Sequence, residues 1–90
     1  MADAWTLDEV EAIVADYFDM LAHELADTSF NKTRHRQELS RVLLGRSDAS
    51  IEFKHANISA ALVDLGFQYI DGYKPRFNYQ ELLADVVERR

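Results

Sequence analysis

Residues 52–66 read EFKHANISAALVDLG, and the placement of that run decides the fold. Its second half is an apolar helical segment closed by glycine. Its first half crowds four polar side chains, Lys54, His55, Asn57 and Ser59, into six positions. Ile51, Ile58, Leu62 and Leu65 recur at spacings that predict a helix buried along one face, with Ala61 allowing a close neighbour. On that reading Lys54, His55 and Asn57 face outward. Ser47 or Ser50 is the expected N-cap, Gly66 suits the left-handed position after the last turn, and Phe67 would then touch Leu62.

Three more helices flank this one. Thr6 and Glu9 have the T-x-x-E form of a capping box, so a first helix is expected to open there. Leu7, Val10, Val14, Tyr17, Leu21 and Leu25 follow at three- and four-residue spacing to about Ala26, with Ile13 and Phe18 widening the stripe. After DTSFN, Asn31 or Thr33 should cap a second helix that runs through KTRHRQELSRVLL to Gly45, basic and exposed in its first half. The short FQYI segment could be briefly extended. DGYKPRF is a loop, because Gly72 and Pro75 interrupt regular structure and Lys74 is pushed toward an extended backbone by the proline after it. Asn78 with Glu81 resembles another cap, and Tyr79, Leu82, Leu83, Val86 and Val87 repeat at helical spacing behind it. The expected fold is all-α, a compact four-helix domain, with a helix-turn-helix-like variant in which Tyr69 to Phe77 forms a short wing-like loop.

Composition agrees with one folded unit. Ninety residues make a single domain, expected to span 1–90, and a chain of this size buries roughly 60 to 65 per cent of its unfolded surface. ERR at the end of a helix carries no closing signal, which reads as the N-terminal module of a longer protein. With no cysteine, disulfides, thiolate metal sites and cysteine nucleophiles are excluded. The opening MADAWTLDEV has acids where a signal peptide needs bases, and no apolar run approaches the roughly 18 residues of a membrane span. A cytoplasmic location is expected.

Charge is unevenly spread under the net −6. Residues 1–30 hold eight acids and no Lys or Arg, whereas residues 31–76 hold eight bases against five acids. Such asymmetry can give a local cationic face, or the two parts can neutralise each other across the fold. Catalytic motifs are not found: there is no phosphate-binding glycine loop, no G-x-S-x-G and no H-E-x-x-H. Glu52 and His55 make a single E-x-x-H pair, where helical carboxylate-bridged metal sites need it twice. No metal or cofactor is expected, and His23 and His35 read as exposed or locally bonded.

The runs NKTRHRQEL, RSDASIEFKHANISAAL and LGFQYIDGYKPRFNYQELL resemble a small helical module near the N-terminus of bacterial restriction and DNA-defence proteins, which often continue into an HNH-type nuclease. The resemblance covers about residues 5–84, and SIEFKHANIS and GYKPRFNYQ are its most specific pieces. Its pattern carries glycine where this chain has Ala49. It implies a non-catalytic module working beside a nuclease.

Two functions follow as expectations. In the first, helices two and three form a DNA-binding pair that targets a duplex, modified or unmodified. Lys54, His55, Asn57 and Ser59 would read bases, Arg34, Arg36, Arg46, Lys74 and Arg76 would hold phosphates, and Tyr73 would stack from the loop with Phe77 and Tyr79. In the second, the chain is a docking or self-association module, meeting a sister domain or another copy without nucleic acid. The arrangement of the bases separates them: one contiguous cationic face favours DNA, whereas pairing with the acids of helix one favours neutralisation or docking.

Overall fold

The computed structural model describes residues 4–90, which form four helices: α1 (Leu7–Leu25), α2 (Lys32–Ser40), α3 (Asp48–Asp64) and α4 (Glu81–Arg89). The capping box closes α1 as expected, with the Thr6 N–H donating to Glu9 Oε1 at 3.0 Å and the Glu9 N–H to Thr6 Oγ1 at 3.3 Å. Asn31 caps α2 through a 3.0 Å bond from the Arg34 N–H, and Ser47 caps α3 through a 3.1 Å bond from the Ser50 N–H. Gly66 takes φ of 81° after α3, and the Phe67 N–H donates back to the Leu62 carbonyl at 2.9 Å. Only glycine adopts that conformation without strain, so it ends the helix where the sequence places it.

Two boundaries differ from expectation. α2 stops at Ser40, because Leu39 and Leu43 enter the core while Val42 and Leu44 turn to solvent. α4 begins at Glu81 after Gln80, with no side-chain cap, so the Asn78 cap is not formed. Tyr79 therefore lies outside the helix, bonded instead to Asp64. Ala49 sits in the first turn of α3 with no left-handed backbone, so that position makes no demand for glycine. Among the described residues no strand forms, and FQYI is not extended sheet.

Contacts between the helices fix their directions. Glu9 meets Arg46 just ahead of α3, Asp16 and Tyr17 meet His55 and Ser59, and Leu21 and Leu25 share a groove with Leu62 and Leu65. α1 and α3 thus run side by side in the same sense. Residues 66–80 return along α3, with the Arg76 N–H donating to the Ala56 carbonyl at 3.1 Å, and deliver Gln80 to Lys54 and Trp5. α4 then runs parallel to the other two, and only α2 opposes them. α3 packs against all three other helices and is covered by the returning segment as well. Its residues from Lys54 to Leu62 are therefore all buried. The core gathers Val10, Ile13, Val14, Tyr17 and Met20 of α1, Ile51 and Ile58 of α3, Ile70, and Leu83 of α4.

Candidate functional site

The polar cluster of α3 points inward, which corrects the expected outward face. The returning segment lies over the stripe that a lone helix would give to water, and each side chain is engaged from across the fold. Lys54 is 8% exposed and donates to Gln80 Oε1 at 3.2 Å, with Trp5 beneath its ammonium. Burial lowers its pKa, and the Arg46 charge adds to the shift. Asn57 Nδ2 donates to the Arg76 carbonyl at 2.7 Å, so with the Arg76 N–H bond to Ala56 the returning chain is clamped at two points. Ser59 shares a 2.7 Å hydrogen bond with Tyr17 Oη, which also accepts from the Ile70 N–H at 2.8 Å. Burial raises the Tyr17 pKa, keeping the phenol neutral in the core. These residues satisfy buried polar groups, and base reading by them would require unpacking the core.

His55 is 0% exposed, its ring 4.7 Å from that of Tyr73 and its Nε2 3.4 Å from Asp16 Oδ2. The approach is close but not aligned, so both ring nitrogens and that oxygen lack a hydrogen bond among the described residues. Tyr73 is buried beside it, its pKa pushed up by that burial, and does not present a stacking face from the loop. Asp16 is held by its other oxygen, 2.7 Å from His35 Nδ1. His35 thus has a long-range partner that the sequence did not reveal. Among the described residues no group of three or more His, Asp or Glu is placed to hold a metal ion.

The bases of the middle third divide into engaged and free. Arg46 makes a two-pronged pair with Glu9 at 2.8 Å and reaches the Ala4 carbonyl at 3.0 Å. Its guanidinium holds Glu9 well below the usual carboxylate range, at about 2. Arg36 donates to Glu52 at 3.0 Å and lies 3.7 Å from Asp48. Lys32 donates to the Gly72 carbonyl at 3.0 Å and sits 4.0 Å over the Tyr73 ring. Arg34 is exposed on α2 with Glu38 3.4 Å away. Lys74 and Arg76 keep exposed side chains, the latter with its guanidinium 5.3 Å above Phe53, and Phe77 is exposed next to them.

A feature missed in the sequence lies at the other end of the molecule. Phe18, Leu21 and Leu25 of α1, Leu62 and Leu65 at the end of α3, Phe67, and Val87 of α4 line an open, apolar trough of about 610 Å³, bordered by Gln68, Glu88 and Arg90. Leu25 is 60% exposed and Phe67 65%, and Leu65, expected in the core, is also exposed. Periodicity assigned Leu25 and Leu65 to packing, since an apolar residue in register looks the same whether or not a neighbour covers it. Phe67, directly after the helix-ending glycine, was the one available signal.

No protein-family model, curated protein or solved structure matches the chain.

Proposed function

We propose that the chain is a non-catalytic protein-docking module, binding through the apolar trough between the last turns of α1, α3 and α4. The observation that carries the reading is the trough itself, where Leu25, Leu65 and Phe67 expose contiguous apolar surface. Surfaces of this kind mark binding sites more often than they persist uncovered. The charges support it too. Arg46 and His35 are spent on the α1 acids Glu9 and Asp16, and Arg36 on Glu52, which favours neutralisation or docking over a contiguous cationic face. In a bacterial restriction or defence protein, the setting the resemblance implies, such a module would hold a nuclease or sister domain to its partner.

Direct DNA contact is a second reading with one observation in its favour. Phe53, Lys74, Arg76 and Phe77 form an exposed patch of rings and cations, the chemistry that strands and phosphates need. Backbone amide NMR separates the two. Under the docking reading, a panel of amphipathic peptides shifts the amides of Leu25, Leu65, Phe67 and Val87, while a duplex at low salt shifts none of them. Shifts confined to Lys74–Phe77, produced by duplex and by no peptide, would overturn docking in favour of DNA.

A further inference from the structure

We infer that the occupant of the trough is an apolar segment flanked by Lys and Arg, most simply one face of an amphipathic cationic helix; this rests on the docking reading. The inference comes from the direction of the helices. Because α1, α3 and α4 run parallel, their C-terminal ends meet at one place, and the trough is lined by their last turns. Each helix end carries the equivalent of about half a negative charge on its outward carbonyls, so three of them concentrate negative potential there.

The side chains at the ends of α1 and α3 do not cancel it, while α4 ends on Arg89 and Arg90. α3 has no basic residue in its last turn, and α1 has only His23. Glu24, Asp64 and Glu88 stand in the three terminal turns against Arg89 at the end of α4 and Arg90 after it, whose guanidinium lies 6.0 Å from the Phe18 ring. Glu24 already accepts from the Asp71 N–H, and Asp64 from Tyr79, so both carboxylates are fixed near the ends. The chain as a whole carries −6, with no Lys or Arg before Lys32. A second copy would bring another acidic α1 and another set of negative helix ends to the interface. A cationic partner meets apolar surface with apolar side chains and the helix ends with charge of the opposite sign.

The test uses the whole 90-residue chain and three 18-residue probe peptides, each with leucines at i, i+3, i+4 and i+7, differing only in a Lys, Gln or Glu polar face. Binding is followed by fluorescence anisotropy at 50 and 500 mM salt, with the F67S and L25S variants as site controls; both positions are exposed, so folding should survive. The inference expects the Lys peptide to bind at least about tenfold more tightly than the Glu peptide at low salt, the gap to shrink at high salt, and both variants to abolish binding. Equal affinity for all three peptides, still lost in F67S, would overturn the cationic partner and leave docking standing. Concentration-dependent dimers in sedimentation, abolished by F67S, would identify a second copy as occupant and overturn the inference. If no peptide binds and the chain stays monomeric, or if binding survives both variants, the docking reading falls with it.

Discussion

α2 and α4 are the same length, nine residues, and are held to the core by opposite physics. α4 buries Leu83, Val86 and Val87 on one side and leaves its charges on the other. α2 buries Leu39 alone within its span and is fastened by Lys32 to Gly72 and the Tyr73 ring, His35 to Asp16, and Arg36 to Glu52. The apolar attachment costs nothing to maintain as pH or salt changes. The polar one depends on every partner being present and correctly placed, and beneath it Asp16 Oδ2, Arg36 Nε, His55 and Tyr73 Oη carry buried polar atoms without hydrogen bonds among the described residues. α4 is thus part of the core, while α2 is a polar cover laid over it. With Val87 in the trough wall, one side of the proposed binding surface is built on that apolar attachment.

The largest break in this comparison comes from the apolar side. Leu83 is fully buried, so Leu83→Ala should lower stability by about 2–5 kcal/mol, the range for removing a packed leucine side chain. Urea unfolding should show a lower midpoint with an unchanged slope. A loss under about 1 kcal/mol would mean that α4 is not integrated into the core as its packing indicates.

The polar side breaks more locally. Asp16 faces His35 of α2 and His55 of α3 at once, so Asp16→Ala removes the one carboxylate that, among the described residues, the two imidazoles share. The expected cost is about 1–3 kcal/mol, the range for leaving buried polar groups without their partner. Hydrogen exchange should report it as faster exchange in α2, with α4 keeping its protection. Equal loss in both helices would show that the two attachments are one cooperative unit.

What could be read in advance divides along the same line. Thr6 with Glu9, Asn31, Ser47 and Gly66 were legible because their chemistry closes within a few residues of chain. The orientation of Lys54, His55, Asn57 and Ser59 was not, because their partners Gln80, Asp16, Arg76 and Tyr17 lie far away in sequence and residues 66–80 cover a stripe that ordinarily signals solvent. Of the twelve residues given a DNA contact, Arg34, Lys74, Arg76 and Phe77 keep exposed side chains; the others are drawn partly or wholly into the fold. The trough was hidden for the converse reason. Leu25 and Leu65 keep perfect helical register, and nothing local records that no element arrives to cover them.

The smallest effect sharpens the contrast through acid. Glu9 is held at about 2, chiefly by its hydrogen bonds from Arg46, against an ordinary value of 4.5. A carboxylate depressed in the folded state contributes stability that is fully present above its unfolded value and is lost as pH falls through the folded one. The loss therefore falls between about pH 4.5 and pH 2. The pair lies near the surface, and solvent screening reduces its contribution to about 1 kcal/mol or less. Chemical unfolding at pH 5 and pH 2.5 should show that difference, and Glu9→Gln should lose most of it. The variant retains an oxygen that can accept from the Thr6 N–H, so the α1 cap survives while the charged hydrogen bonds from Arg46 to the Glu9 carboxylate are lost. If the pH dependence is unchanged in Glu9→Gln, acid acts elsewhere, and the clasp between the start of α1 and the turn before α3 contributes little to holding the polar side of the molecule closed.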